Sequence, residues 1–207
     1  MKIISSILEV EVYASELDAM VFDLDDTLYS EKEYVRSGFH QIAALFPEIP
    51  DAEVSLWKFF LDKKPAIDCF IEKERISKDL KKKCLDVYRF QKPDICLYPG
   101  VHDMLLRLKK QIKLGLITDG RPEGQHAKIR VLGLESIFDY IIITDELGGA
   151  FFRKPNTTAF KLMAEALNVN NAKMCYIGDN IQKDIAGAEA LGMTAILFQN
   201  RDGLYAL

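Results

Sequence analysis

Residues 21–30 read VFDLDDTLYS and place three carboxylates within four positions, directly after an apolar run. Like charges this close repel one another, and a buried carboxylate is costly unless a partner compensates it. In an extended backbone, residues two apart face the same way, so Asp23 and Asp25 would project together from the end of a strand. Such a pair can supply a nucleophile and a general acid or base, whereas Asp26 fits a helix or turn cap. The segment therefore predicts a site that also contains a counter-charge.

The apolar run before Asp23 is one of several that end abruptly in polar or glycine-containing turns, at 18–23, 112–120, 140–146, 173–180 and 194–200. Each run is short and continuous rather than alternating, which is typical of strands buried on both faces in a parallel sheet. Helical patterns separate them at 101–111, 123–134, 156–168 and 182–193. The alternation predicts an α/β fold with a parallel sheet sandwiched by helices, and ligands in such sheets bind beyond the carboxyl ends of the strands.

The stretch 30–96 breaks this alternation, because it contains only helical patterns. We interpret it as a small all-helical domain inserted after the strand that precedes Asp23, with 1–29 and 97–207 forming the α/β core. At the N-terminus, Leu8, Val10 and Val12 alternate with other residues, which predicts a short extra strand. The pattern assigns no function to the first sixteen residues.

Composition narrows the class of protein. The chain has 207 residues, a net charge of −4 and a pI near 5.5, so it lacks the basic footprint of a nucleic-acid-binding protein. No apolar run approaches the roughly 18 residues of a membrane span. The four cysteines are irregularly spaced without a C-x-x-C pair, which favours thiols in a reducing compartment and hence a cytoplasmic protein. They are Cys69, Cys84, Cys96 and Cys175.

Polar residues at three other strand ends could complete the site. The turn at 118–120 offers a threonine hydroxyl and close-approach backbone amides, which suit phosphate oxygens, although an ordinary strand-to-helix turn has the same composition. Lys154 precedes a proline and is therefore extended, so its ammonium could reach the same crevice. Asp179 and Asp184 follow the fourth apolar run. Further acids beside Asp23 would be unfavourable without a cation.

A magnesium ion would remove that conflict. Mg²⁺ prefers hard oxygen ligands, needs few protein carboxylates and leaves room for water and a phosphate oxygen. Placed between Asp23 and Asp179, it would offset their repulsion and let a carboxylate approach a phosphate dianion. The residues therefore predict carboxylates compensated by Mg²⁺ on one side and by Lys154 on the other.

Four motifs carry a resemblance to the haloacid dehalogenase (HAD) superfamily of phosphotransferases. They are DLDDT at 23–27, LITDG at 116–120, RKP at 153–155 and GDNIQKD at 178–184. One of them would be weak, but four in the required order, each at a predicted strand end, are specific. The resemblance implies a Rossmann-like core, and it identifies the helical insertion as the family's first type of cap domain.

The resemblance also implies a division of labour among the carboxylates. Asp23 would be the nucleophile that forms an aspartyl-phosphate, with its other oxygen on Mg²⁺. Asp25 would protonate the leaving alcohol and then activate water, while its backbone carbonyl ligates the metal. Asp179 would complete the metal site, and Asp184 would orient Lys154 and metal-bound water.

On the phosphate side, the resemblance implies that the Thr118 hydroxyl and the backbone amides of Asp119 and Gly120 hold the phosphoryl group. Lys154 would stabilise charge on its oxygens. This division suits phosphoryl transfer, in which positioning and charge stabilisation dominate.

The sequence analysis thus favours a Mg²⁺-dependent phosphomonoesterase that hydrolyses a small phosphorylated metabolite, a sugar phosphate or a nucleoside monophosphate, in the cytoplasm. Two alternatives stay open at this point. A phosphomutase on a sugar phosphate uses the same core motifs, and a non-catalytic binding module could keep the fold. Such a module should have lost one of Asp23, Asp25, Lys154 or Asp179, and none is missing. Neither the oligomeric state nor the substrate can be deduced from these patterns.

Overall fold

A computed structural model describes residues 1–204 of the chain. The strands are β1 (Lys2–Ile4), β2 (Ala19–Phe22), β3 (Lys113–Thr118), β4 (Tyr140–Ile143), β5 (Met174–Gly178) and β6 (Thr194–Phe198). Within that range they form a six-stranded, wholly parallel sheet in the order β1-β6-β5-β2-β3-β4. The α/β fold predicted from the continuous apolar runs is confirmed.

Helices connect the strands. The α-helices are α1 (Glu31–Ala43), α2 (Ala52–Leu61), α3 (Ala66–Lys73), α4 (Lys78–Arg89), α5 (Val101–Lys109), α6 (Pro122–Val131), α7 (Thr158–Leu167) and α8 (Ala186–Glu189). The 3₁₀ segments lie at Ile7–Glu16, Thr144–Leu147, Ala150–Phe152 and Asn171–Lys173, and a π-helical turn lies at Ile181–Ile185. Over residues 1–204, none of these helices has the length and apolar character needed to span a bilayer.

The position of β2 in the sheet sets up the site. All four of its residues are buried, and it pairs with β3 on one side and β5 on the other. Phe22 is in register with Leu116 of β3 and with Ile177 of β5, so the carboxyl ends of the three strands meet at one edge. Ligand sites in parallel sheets form at this edge.

The chain divides into two compact units, one holding Met1–Glu31 and the chain from Ile95 onward, the other holding Lys32–Asp94. The second unit has its own apolar core, to which helices α1 to α4 all contribute. Its buried members are Val35, Phe39, Ile42, Phe46, Ala52, Leu56, Ala66, Phe70, Ile71 and Cys84. A substrate-capping role for residues 30–96 remains a prediction.

The predicted N-terminal strand at residues 8–13 is wrong, because this segment belongs to the 3₁₀ helix Ile7–Glu16. The Ser6 side chain accepts a hydrogen bond from the Leu8 backbone, and Glu9 Oε1 accepts one from the Ser6 backbone at 2.7 Å. This reciprocal capping box starts a helix. The residues that it buries, Ile7, Val10 and Ala14, recur at helical spacing. The strand lies earlier, at β1.

Gly187 allows α8 to pack against α7, and we expect Gly187→Ala to destabilise the fold. A Cβ at this position would lie 2.6 Å from Cε2 of the Phe160 ring, closer than side chains tolerate. Overpacking of this kind costs about 1–3 kcal/mol, measurable as a lower midpoint in urea unfolding. Combining it with Phe160→Leu should cost less than the two single effects together, because the smaller side chain makes room. Strictly additive effects would show that the two positions do not clash.

Candidate active site

Three carboxylates gather at the carboxyl edge of the sheet. Asp23 directly follows β2, Asp179 directly follows β5, and Asp184 lies in the π-helical turn that comes next. One oxygen of each carboxylate lies within 4.8 Å of the corresponding oxygens of the other two. The turn is fixed by Asn180, whose side chain accepts hydrogen bonds from the backbone amides of Gln182 and Lys183. The sequence spacing therefore brings the predicted acids together.

Lys154 is the cation between these acids. Its side chain is 2% exposed, and its Nζ lies 2.6 Å from Asp23 Oδ1 and 2.7 Å from Asp184 Oδ1. It also donates to the Tyr176 hydroxyl at 3.1 Å, and that hydroxyl in turn donates to the Ile117 carbonyl. Tyr176 was missed in the sequence analysis, where it appears only as an apolar residue of a strand. The ammonium is thus held from three directions.

Burial shapes the pKa values of this cluster. Desolvation, reinforced by Asp184 and Asp179, raises the pKa of Asp23 well above its usual range despite the nearby Lys154. Desolvation and the charge of Asp184 raise the pKa of Asp179 to about 7. Burial alone would lower the pKa of Lys154, but the charges of Asp184 and Asp23 outweigh it and raise that pKa. If all three acids were ionised, they would carry more negative charge than one lysine offsets.

This donor set fits a divalent metal. The oxygens of Asp23 and Asp179 are hard ligands whose charge is incompletely compensated by Lys154. Asp184 is more fully engaged, since its Oδ1 contacts Lys154 and its Oδ2 accepts from the Asn180 amide at 3.0 Å. Of the three acids, Asp23 and Asp179 are thus better suited to bind a cation directly.

The end of β3 supplies the predicted phosphate-binding turn. Thr118 is buried, and its hydroxyl accepts a hydrogen bond from the Gln125 side chain. Asp119 Oδ1 accepts from the Thr144 hydroxyl at 2.8 Å and from the Lys154 backbone amide at 3.1 Å, which ties this turn to the lysine loop. Gly120 has a φ of +139°, a backbone conformation that residues with a side chain rarely adopt. The turn places its backbone beside the acid cluster.

Asp25 lies among donors that the sequence analysis did not assign. Lys128 Nζ lies 2.7 Å from its Oδ1, Gln125 donates to its Oδ2 at 2.9 Å, and the Tyr29 hydroxyl donates to Oδ1. Burial would raise the pKa of Asp25, but the charge of Lys128 and these hydrogen bonds outweigh it and lower that pKa. The available sequence signal was the spacing of Gln125 and Lys128, three residues apart on one helix.

Asp26 has the capping role that its position suggested. Its Oδ1 accepts from the Glu31 amide at 2.9 Å and its Oδ2 from the Leu204 amide at 2.6 Å. The side chain of Asn200 donates to its backbone carbonyl at 2.8 Å. Asp26 also has a φ of +53°. The loop after Asp23 is therefore tied to the chain that follows β6.

The predicted site residues, except Thr118 and Gly120, line one pocket of the first unit. Its walls are Asp23, Asp25, Asp26, Glu31, Asp119, Lys154, Asp179, Asn180, Lys183 and Asp184. Glu31 was not singled out from the sequence; burial and the charge of Asp25 raise its pKa to about 8. A nucleophile, an acid/base and a cation at one strand edge can carry out acyl- or phosphoryl-transfer chemistry.

Comparison with characterised proteins finds phosphatases among the relatives. A glyceraldehyde 3-phosphate phosphatase of Methanocaldococcus jannaschii is 29% identical over 194 residues, which cover 87% of this chain and 84% of that protein. A glyceraldehyde 3-phosphate phosphatase of Pyrococcus abyssi is 36% identical over 102 residues. That match covers 49% of this chain and 42% of the relative, so it spans less than half of the Pyrococcus protein.

Solved structures share the fold. The magnesium-bound HAD-hydrolase YfnB of Bacillus subtilis superposes with a TM-score of 0.66 at 21% identity, covering 87% of this chain and 86% of that one. The model of the haloacid dehalogenase-like hydrolase family matches residues 20–198, a span that contains all four strand-end motifs. The resemblance seen in the motifs is confirmed, and the chain belongs to the haloacid dehalogenase-like hydrolase family.

Proposed function

We propose that the chain is a Mg²⁺-dependent phosphomonoesterase that hydrolyses a small phosphorylated metabolite through an aspartyl-phosphate on Asp23. The observation that carries the proposal is the contact of Lys154 with Asp23 inside a buried cluster that also contains Asp179. This arrangement leaves a nucleophilic carboxylate beside a cation and a metal-binding acid, as phosphoryl transfer requires. The phosphatases among the relatives support it.

In the first step, an oxygen of Asp23 attacks phosphorus. The bond from phosphorus to the ester oxygen breaks. Asp25 enters this step protonated, although its contacts in the free protein favour the carboxylate, and it donates that proton to the departing alkoxide. In the second step, Asp25 takes a proton from water, whose oxygen attacks the same phosphorus and releases the Asp23 carboxylate with inorganic phosphate. Both steps use Asp25 as general acid and then base.

The phosphoryl group would be held by the Thr118 hydroxyl and by the backbone amides of Asp119 and Gly120. Lys154 would balance charge on its oxygens while remaining anchored by Asp184. Because these groups are already fixed by the fold, little reorganisation is needed as charge develops in the transition state.

Members of the haloacid dehalogenase family generally use a divalent metal, and we propose Mg²⁺ for this chain. Asp23, the backbone carbonyl of Asp25 and Asp179 would hold it, with Asp184 orienting its surroundings. When bound, Mg²⁺ neutralises charge on the carboxylates and on the phosphate. A magnesium-bound solved relative is consistent with this choice.

We propose that the helical unit Lys32–Asp94 acts as the cap that selects a small substrate and excludes nucleic acid. Glyceraldehyde 3-phosphate is the first compound to test, because five relatives are named for it. The reducing compartment indicated by cysteine usage makes the cytoplasm the proposed location.

The proposed function is tested by phosphate release in Mg²⁺ from a panel of phosphate esters. The panel contains glyceraldehyde 3-phosphate, other sugar phosphates, nucleoside monophosphates and an aryl phosphate. Release of phosphate together with the free alcohol supports a phosphatase. Ranking the esters by kcat/KM then identifies the substrate class. Conversion of a sugar phosphate to its isomer without release would identify a phosphomutase. Folded protein that turns over no compound on the panel would contradict the proposal.

Removal of the metal should abolish activity. We expect EDTA to reduce phosphate release to background and added Mg²⁺ to restore it, because the acid cluster is otherwise under-compensated. Mg²⁺ should also raise the thermal midpoint of the chain, and Asp179→Asn should remove most of that increase. Asp103→Asn, at a side chain 77% exposed on α5, is the matched control and should keep it. Full activity in chelator would exclude a metal requirement.

A further inference from the structure

A buried lysine outside the proposed chemistry lies beside the acid/base residue. The side chain of Lys128 on α6 is 6% exposed, and its Nζ is 2.7 Å from Asp25 Oδ1. Placing an ammonium in a desolvated position is costly unless it is paired. The desolvated Lys128 ammonium is therefore stabilised by pairing with Asp25, the carboxylate that we expect to transfer protons.

Gln125 and Tyr29 hold the same carboxylate from other directions. Tyr29 donates to Oδ1 alongside Lys128, while Gln125 donates to Oδ2 at 2.9 Å. The Gln125 side-chain nitrogen also donates to the Thr118 hydroxyl. Both oxygens of Asp25 are therefore engaged, and one amide links the acid/base residue to the phosphate-binding turn.

The two α6 residues act from one rigid element. Gln125 and Lys128 are three residues apart, so their side chains leave the same face of the helix. The helix begins at Pro122, directly after the turn that ends β3. Movement of Asp25 away from this face would break its 2.7 Å contact with the buried ammonium and its hydrogen bond from Gln125, which penalises other orientations of the aspartate.

We propose that Lys128, assisted by Gln125, is a positioning residue that holds the Asp25 carboxylate in the one orientation from which it serves both proton transfers. The inference rests on the proposed phosphatase chemistry. Helix α6 would then orient the acid/base residue in addition to its structural role in the fold.

The two steps of the reaction depend on Asp25 differently, and this gives a specific signature. An alkyl phosphate needs a proton on its leaving group, whereas an aryl phosphate with a good leaving group does not. The second step needs a base to activate water, whichever substrate was used. When Asp25 is mispositioned, an aryl phosphate should still phosphorylate Asp23 quickly and then stall, but an alkyl phosphate should be slow from the start.

The experiment uses Lys128→Met with rapid mixing of an aryl and an alkyl phosphate in Mg²⁺. We expect a burst of about one phenol per active site followed by slow turnover, and no burst from the alkyl ester. Turnover of the alkyl ester should fall by about 100-fold or more, the scale of general acid–base catalysis. KM for the aryl ester should not rise.

Two further variants keep the test decisive. Gln125→Leu should give the same pattern more weakly, and it serves if Lys128→Met fails to fold. Arg130→Met, which removes an exposed cation from the same helix, should behave as the parent protein. Parental turnover of the alkyl ester by folded Lys128→Met and Gln125→Leu would overturn the inference. So would an equal loss on both substrates without a burst.

Failure of this inference can be told apart from failure of the proposed function. If Asp23→Asn releases no phosphate but Lys128→Met behaves as the parent, the phosphatase stands and the positioning role falls. If Asp23→Asn is as active as the parent, the covalent chemistry itself is wrong and the burst has no basis.

Discussion

Replacing Asp23 with Asn is expected to reduce phosphate release to background. The loss in kcat should be about four orders of magnitude or more, as when other enzymes lose a covalent nucleophile. An amide oxygen is a far weaker nucleophile than a carboxylate, and the neutral side chain also weakens metal binding. The fold should persist, because Lys154 keeps its contacts with Asp184 and the Tyr176 hydroxyl.

The measurement is kcat on the best ester of the panel, with circular dichroism and thermal melting to show that the variant is folded. Asp103→Asn provides the same chemical change on the surface of α5 and should have parental activity. A folded Asp23→Asn protein that retains a tenth of the parental rate would rule out covalent catalysis by this residue.

Lys154→Met is expected to produce the largest loss of stability from a single change in the site. The substitution leaves Asp23 and Asp184 facing one another in a buried position without their shared cation. Removing one partner of a buried ion pair costs about 3–5 kcal/mol of unfolding free energy. We expect that loss in urea unfolding with EDTA present, and a smaller loss in Mg²⁺, because the metal replaces part of the missing positive charge.

The matched control is Lys161→Met on the exposed side of α7, which should leave the unfolding free energy within about 0.5 kcal/mol of the parent. If Lys154→Met and the parent had the same unfolding free energy in EDTA, Lys154 would not be stabilising the buried pair of Asp23 and Asp184. Equal losses with and without Mg²⁺ would show that the metal does not share this compensation.

Five of the six strands in residues 1–204, β2 to β6, could be predicted from the sequence because burial on both faces leaves a simple pattern. The run before Asp23 is apolar without interruption, and every residue of β2 is indeed buried. Four acids and a lysine could be assigned to one edge because parallel strands end at the same side of a sheet. Local sequence rules were sufficient for this part.

The prediction of a strand at residues 8–13 failed because a helix-capping signal outweighed an alternating pattern. Leu8, Val10 and Val12 alternate as in a strand, but Ser6 and Glu9 cap a helix in the same segment. Val12 is in fact exposed, so the alternation did not reflect one buried face. Period-two patterns of three residues are too short to decide against a capping box.

The parts of the site that were missed depend on tertiary contacts. Lys128 lies on a helix with neighbouring charges and is indistinguishable from a solvated lysine until its distance to Asp25 is known. The contact of Asn200 with the Asp26 carbonyl joins residues 174 positions apart. Tyr176 was hidden inside a strand, where an aromatic residue usually signals packing. Such contacts have no short-range sequence signature.

Attack by Asp23 on phosphorus is tested most directly by the stereochemistry of the reaction. The phosphoryl group of an ester made chiral at phosphorus with oxygen isotopes is transferred to an acceptor alcohol, or the thiophosphoryl group of a chiral thiophosphate ester is transferred to isotopically labelled water. Two successive in-line displacements, first by Asp23 and then by the acceptor, retain the configuration at phosphorus. Covalent catalysis by Asp23 predicts retention. Inversion would mean that the acceptor attacks the substrate directly and that Asp23 forms no covalent intermediate.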